Sequence, residues 1–236
     1  MGKFMIENLI KSFSTKDKSN FFVLNGISFD WSEDESIAIM GESGSGKSTI
    51  AKLLVGLEKP SSGKIIFDNE DILRWSHIEW KSNRKKIQAV FQDTAGTLNN
   101  GLSVYKNLEE PLINLTKLNK NQRKEVIYEL MNQTGISKEL LTVKTKHLSG
   151  GEQRKLSLLR ALAIKPRFLI MDEITSGLDF VTENEVFTLL NEYHKKYNIS
   201  YLLITHDKEA AKKIANKIYY IENGKFSKIG IKEGEQ

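Results

Sequence analysis

The chain has 236 residues, no cysteine and a formal net charge of +5. That length buries one sizeable core with room for an inserted subdomain. Without cysteine, disulfides, zinc ribbons and cysteine-ligated iron clusters are excluded, and a reducing compartment fits. The mild charge makes no case for nucleic acid, and the densest basic run, Lys81 to Lys86, reads as a solvated face. No stretch approaches the roughly 20 apolar residues that span a bilayer. The N-terminus, with Lys3 and Glu7, lacks a signal-peptide pattern, and Ile6 stands where a myristoylation motif needs Ser or Thr.

In chain order, two alternating runs come first, about Phe4 to Phe13 and Phe21 to Trp31, with a polar loop at Lys16 to Asn20. They predict antiparallel strands. Ser36 to Met40 predicts a buried strand running into a glycine loop. Ile50, Leu53, Leu54 and Leu57 recur at helical spacing, and Lys59-Pro60-Ser61-Ser62-Gly63 is the expected stop. Ile87 to Phe91, Phe168 to Met171 and Tyr201 to Ile204 are short apolar runs of the kind a parallel sheet covers on both faces. Val186, Phe187, Leu190, Tyr193 and Tyr197 form a helical stripe, with Thr182 and Glu185 as its expected capping box. Lys217 to Ile221, Asn223-Gly224 and Lys225 to Ile229 predict a closing hairpin. Between about Asp93 and Gly150 no run reads as a strand. Val104, Leu108, Leu112 and Leu115 give one helical stripe. Val126, Ile127, Leu130 and Met131 give another, with Gly135 as its stop. The fold class that follows is α/β, with a helical insert at about 93–150 between core segments at about 1–92 and 151–236.

The segment Gly41-Glu42-Ser43-Gly44-Ser45-Gly46-Lys47-Ser48-Thr49 has the spacing of a phosphate-binding loop, with a strand before it and a helix after it. Glycines let backbone N–H groups turn inward around phosphate oxygens, and the helix N-terminus presents its positive end to the same anion. Lys47 is placed for the β- and γ-phosphates of ATP and Ser48 for Mg²⁺. Asp172 ends an apolar run, at the sheet edge where α/β proteins bind ligands, and is a candidate for the Mg²⁺ shell. Glu173 beside it is available to orient or deprotonate water.

Ser149-Gly150-Gly151-Glu152 is a second capping box. Two glycines in a first helical turn are poor helix formers. Their use is to leave bare N–H groups facing outward, as a second anion site. Ser149 can accept a capping bond and still donate its hydrogen to a phosphate.

The ordered set of glycine loop, Gln92, Leu148-Ser149-Gly150-Gly151-Glu152-Gln153, Asp172-Glu173, Ser176-Gly177-Leu178-Asp179 and His206 resembles the ATP-binding-cassette (ABC) ATPase family over essentially the whole chain. The resemblance implies a P-loop NTPase fold with a mainly parallel core sheet, an N-terminal antiparallel β-subdomain and an inserted helical subdomain. It implies ATP hydrolysis with Mg²⁺, in a head-to-tail pair of ATP-binding subunits, alike or paralogous. Ser149, Gly150 and Gly151 would contact the γ-phosphate held by the partner's loop. Gln92 would touch Mg²⁺ or the attacking water, Glu173 would be the base, and His206 would contact the γ-phosphate. Asp179 would communicate across the pair. Phe13 would stack on adenine, with Phe21 and Phe22 as alternatives. His77, His147 and His194 read as surface histidines.

Val90-Phe91-Gln92-Asp93, Leu98-Asn99-Asn100 and Glu110-Pro111-Leu112 resemble the ATPases of oligopeptide, dipeptide and nickel importers. Two departures are Asn100 and Ile174, where those families usually carry proline. The short segment after the last hairpin, free of cysteine, tilts the reading toward nickel or metal chelates over peptides. The expected partners are membrane-spanning permease subunits and, indirectly, an extracytoplasmic substrate-binding protein, with the chain on the cytoplasmic face of a bacterial membrane. The alternatives are an exporter subunit, with identical chemistry, and a soluble ABC ATPase. Chromosome-structuring relatives would need a long heptad-rich insertion, translation-type relatives usually carry two cassettes, and a binding module without catalysis fits poorly with Glu173 and His206.

Overall fold

The computed structural model describes residues 2–14, 20–92, 97–134 and 136–231. They fall into two compact units, Met1–Lys81 with Ile170–Glu173 and Ser200–Gln236, and Ser82–Leu169 with Ile174–Ile199.

In the first unit, the alternating runs become β1 (Lys3–Ser14) and β2 (Asn20–Ser32), paired antiparallel. The loop expected at Lys16 to Asn20 lies mostly outside the described residues, and Asn20 already begins β2. Phe4 and Ile6 of β1 are buried, and so is Leu9, which strict alternation would place on the opposite face. A register shift between Ile6 and Leu9, with Asn8 at φ 47°, corrects the parity. β4 (Ser62–Phe67) and β5 (Glu70–Asp71) complete a sheet ordered β2-β1-β4-β5. Phe4 stacks on Trp31 and packs against Phe67, all fully buried.

The second sheet of this unit runs β10-β9-β3-β8-β7. These strands are β3 (Ile37–Gly41), β7 (Phe168–Asp172), β8 (Ser200–Thr205), β9 (Lys217–Glu222) and β10 (Lys225–Ile231). β3 is parallel to both β8 and β9, and β10 closes the sheet antiparallel to β9. Asn223 and Gly224 both take positive φ, as the two-residue turn requires. β3 and β8 are buried at nearly every position, the pattern of strands covered on both faces.

α1 (Lys47–Leu54) starts where the sequence indicates but ends earlier than its apolar spacing suggests. Gly56 takes φ 68° and donates to the Leu53 carbonyl, so the left-handed cap falls before Leu57, which is left 60% exposed. The Trp80 indole occupies the space a Cβ at Gly56 would need, at 2.3 Å. α2 (His77–Asn83) begins in this unit, and α7 (Lys208–Ile214) packs on its sheet with Ala210, Ala211 and Ile214 buried.

The second unit holds β6 (Ile87–Val90), beside the start of β7, and the helices α3 (Val104–Leu115), α4 (Lys120–Gln133), α5 (Gly150–Leu162) and α6 (Phe180–Tyr197). The expected stripes are buried at Val104, Leu108 and Leu112 and at Ile127, Leu130 and Met131. Gly135, the expected stop of α4, lies outside the described residues. α6 begins one turn before the expected Thr182–Glu185 box: Asp179 is its N-cap and accepts from Thr182 N at 3.0 Å. An aspartate precedes the helix there, so the first turn forms on it, and Glu185 is freed to pair with Lys155. His194 is half-buried, with Nδ1 2.9 Å from the Ile199 carbonyl oxygen, which differs from the expected surface position.

Glu109 is the one carboxylate of α3 that is buried, at 3% exposure. It accepts from Lys106 Nζ at 2.8 Å and from Arg123 Nε at 3.4 Å. The hydrogen bond from Lys106 chiefly holds its carboxyl below the ordinary value of 4.5. A depressed carboxylate stabilises the fold above its unfolded value and loses that contribution as pH falls through the folded one. Glu109→Gln is therefore expected to lower the unfolding free energy at pH 7 by about 1–3 kcal/mol. In urea titrations the gap should shrink sharply by pH 3, and an equal gap at both pH values would refute the pairing.

Candidate active site

β3 delivers the chain into the glycine loop, and the loop's shape follows from two close approaches. A Cβ at Gly41 would lie 2.4 Å from the Ile221 carbonyl oxygen, and one at Gly46, with φ 104°, would lie 2.8 Å from the Val23 carbonyl oxygen and from Leu24. At Gly44 the same atom would meet nothing within 4 Å. Gly46 is also the N-cap of α1 and supplies no side-chain cap. The first N–H groups of α1 thus lack a side-chain acceptor, which suits an anion. Among the described residues Ser45 Oγ is buried without a partner, and Thr49 sits half-buried in the first turn of α1.

Lys47 is 6% exposed. Its Nζ donates to the carbonyl oxygens of Gly41 at 2.8 Å and Glu42 at 2.7 Å. Carbonyl dipoles engage two of its three hydrogens but do not neutralise its charge, and a buried cation needs a counter-charge. Glu42 and Ser43 are exposed at the loop's rim. Glu42 to Ser45 line a cleft of about 320 Å³ together with Phe21, Phe22, Val23 and Ile221 to Gly224. Phe13 is not among the lining residues. It lies opposite Phe21 in the β1–β2 ladder, 47% exposed, with Lys11 Nζ 4.8 Å from its ring centroid.

Asp172 ends β7 at 4% exposure, and its Oδ1 is buried without a hydrogen-bond partner among the described residues. Burial raises its carboxyl pKa, the Ser48 hydroxyl opposes that shift, and the Glu173 charge adds to it. Among the described residues no cluster of three or more His, Cys, Asp or Glu could hold a metal. Mg²⁺ keeps several waters and is held by one or two carboxylates plus phosphates. The hard oxygens of Asp172 and Ser48, one of them orphaned, fit such a group.

Glu173 follows at φ 53°, in the left-handed region that non-glycine residues rarely enter, and its N–H is held by the Ile204 carbonyl at 2.9 Å. Both carboxylate oxygens lie 3.0 Å from Nδ1 of His206, which stands just past β8. A carboxylate only accepts, so Nδ1 carries the hydrogen. His206 itself is exposed, and its Nε2 is left for a further partner. The first unit thus gathers the glycine loop, Asp172, Glu173 and His206. Ile174, standing where proline was expected, is buried at 2%.

The second unit carries the remaining candidates. Gln92 is exposed at a bend just after β6. Ser149 caps α5 in the expected box: its Oγ accepts from Glu152 N at 3.3 Å, and Glu152 Oε2 accepts from Ser149 N at 2.8 Å. One detail differs from expectation. The Ser149 hydroxyl also donates to Glu152 Oε2 at 2.8 Å, so its hydrogen is already committed here and would have to turn to meet a phosphate. A Cβ at Gly150 would meet nothing within 4 Å, and one at Gly151 only Leu178 Cδ2 at 3.6 Å. Asp179 caps α6, and Arg154 of α5 donates to the Ser176 carbonyl just before it. Sequence reading missed Arg154 and the buried Asn107 of α3, because a single polar residue inside a helical pattern carries no spacing signal.

Residues 24–176 match the family described as ABC transporter. The chain is 35% identical to the nickel import ATP-binding protein NikE of Shigella boydii over 204 residues, covering 86% of this chain and 76% of that one. The NikE protein of Brucella suis gives 35% identity over 86% and 77%. Among solved structures, the ATP-binding cassette MJ0796, in a dimeric post-hydrolysis state bound to ADP and Pi, superposes with TM-score 0.90 at 27% identity, covering 98% and 99%. The cbiO1 protein of Clostridium perfringens, part of the ABC transporter complex cbiONQ, gives TM-score 0.81 at 30% identity, covering 97% and 88%.

Replacing Lys47 by alanine should weaken ATP affinity by roughly tenfold to hundredfold, as loss of charge-assisted contacts worth about 1.5–3 kcal/mol predicts. Calorimetric titration of the intact chain reads this directly, and unchanged affinity would remove Lys47 from the site.

Proposed function

We propose, on the premise that this chain belongs to the ABC transporter family and is an ATP-hydrolysing cassette of it, that it powers an importer of nickel or metal chelates. The NikE relatives support that cargo over short peptides. Among the described residues no helix is long and apolar enough to cross a membrane, so the translocation path is assigned to separate permease subunits, which the chain would serve from the cytoplasmic face. An extracytoplasmic binding protein would choose the cargo.

The observation that carries the mechanism is the contrast between two glycine pairs. Gly41 and Gly46 are required by atoms of this same chain. Gly150 and Gly151 are not: side chains would fit at both, and each glycine costs a helix about 1 kcal/mol relative to alanine. Their use lies outside the chain, where a second cassette's nucleotide would approach the bare turn of α5. ATP bound at Lys47 and the α1 N-terminus would thus be enclosed by Ser149 to Gly151 of a partner subunit, with Asp179 at the same seam. The dimeric state of the MJ0796 cassette agrees with such a pair.

Within that seam Asp172 and Ser48 would hold Mg²⁺, which supplies charge neutralisation at the phosphates. Glu173 takes the proton of the attacking water, and the His206 Nδ1–H orients its carboxylate. Gln92 reports the γ-phosphate to the helical segment that follows it. Phe13, supported by Phe21 across the ladder, stacks on the base. ATP binds the closed pair better than the open one, which is what lets hydrolysis drive a cycle.

Glu173→Gln should keep ATP binding while turnover falls by roughly 10²–10⁴, the usual worth of a general base, and should accumulate an ATP-dependent dimer. A steady-state phosphate-release assay showing near-normal turnover would displace Glu173 from that role. Cargo and direction are read by co-expressing the chain with its membrane partners and following ATP-driven movement in vesicles. Inward transport of nickel chelates over peptides is the expected result. Outward transport would favour the exporter, and the lack of any membrane partner a soluble ATPase.

A further inference from the structure

We propose that Asn107 is a positioning residue that fastens residues 97–103 to the segment entering the Ser149–Gly151 turn. Asn107 sits on α3 at 3% exposure, between the buried Val104 and Leu108. Its amide is fully used. Oδ1 accepts from Asn99 N at 2.8 Å, while Nδ2 donates to the carbonyls of Asn99 at 3.1 Å and Ser103 at 3.1 Å. The same Asn99 carbonyl accepts from Thr145 Oγ1 at 3.0 Å, and Thr145 is fully buried.

Backbone bonds run alongside this knot. Thr145 N donates to the Leu102 carbonyl at 3.1 Å, Val104 N donates to Val143 O at 2.9 Å, and Ser103 bridges to Lys144. Beyond Thr145 the connection is short: Leu148 N donates to Thr145 O at 3.1 Å, and Ser149 begins the cap of α5. One carbonyl, that of Asn99, is therefore gripped from both sides. A buried amide in an apolar stripe costs stability unless each of its bonds is made, and here each is made to backbone. Apolar packing has no direction, so the register of the two segments rests on these backbone bonds together with the Asn107 and Thr145 side chains. The knot makes them one rigid piece.

This inference rests on the reading that Gln92 and Ser149 to Gly151 both act on ATP. Its test uses the intact chain carrying Glu173→Gln, so that the ATP-bound pair persists. Thr145→Val removes one bond of the knot, Thr145→Ser restores it, and Asn107→Asp sets an oxygen against two carbonyls. Light scattering gives the ATP concentration for half-maximal dimer, and hydrogen exchange gives the protection of the capped amides 149 and 152. The expected result is a rise of tenfold or more in that concentration for Thr145→Val and Asn107→Asp. Exchange at 149 and 152 should quicken, ATP affinity of the monomer should stay within twofold, and Thr145→Ser should behave as the parent.

A merely structural role would loosen α3 and leave amides 149 and 152 protected. That outcome, or an unshifted dimer midpoint in Thr145→Val, overturns the inference. If Asn107→Asp does not fold, the Thr145 pair alone decides. Ser149→Arg is run in parallel. If it blocks the dimer while Thr145→Val leaves the midpoint unmoved, only the positioning role falls. If Ser149→Arg leaves the dimer intact, the reading of the seam falls and the inference with it.

Discussion

Lys47 is a buried cation whose partners are two carbonyl oxygens of its own loop. Among the described residues no carboxylate bonds this charge directly, and Asp172 meets it only through space. β3 is buried along its length and brings the loop to the sheet edge, Gly46 turns left-handed to start α1, and α1 begins without a side-chain cap. A few ångströms of backbone therefore concentrate a lysine, a helix terminus and bare N–H groups. Asp172 is the complementary defect, a buried carboxylate with one orphaned oxygen and an upshifted pKa. Each is costly alone. A polyanion with its cation relieves both, so binding energy is stored in the fold as unsatisfied electrostatics.

Backbone strain has the same logic at Glu173. A residue held at φ 53° persists only when its neighbours over-determine it, and here the Ile204 carbonyl and His206 do so. The strain aims the carboxylate toward His206 instead of along the strand. Since Glu173 is flanked by the buried Asp172 and the buried Ile174, the turn cannot relax by exposing either neighbour.

The glycine loop, the closing hairpin, the core strands and the α5 cap were legible because each depends on local chemistry: φ at glycine, period-two burial, a hydroxyl three residues before a glutamate. Two helix ends differ from expectation. α1 stops at Gly56, whose left-handed φ caps the helix before its apolar spacing runs out. α6 starts at Asp179 because an aspartate one turn earlier outcompetes the threonine box, a choice between two valid caps. Of the candidate site, the place of the loop after β3 and of the carboxylates at the end of β7 could be read directly. The commitment of the Ser149 hydroxyl to Glu152 could not, since it depends on a rotamer.

The second unit shows why buried polar residues escape sequence reading and still matter. Its helices are apolar where they pack, yet Arg160 pairs with Glu110, Tyr193 donates to Gln133 at 2.8 Å, and Glu109 holds Lys106 and Arg123. Hydrophobic burial would keep these helices together at any small offset, because it scales with area and not with orientation. Hydrogen bonds fix the offset. Directional bonds at Asn107, Glu109 and Gln133 set that offset, and their net stability is modest beside the geometry they impose.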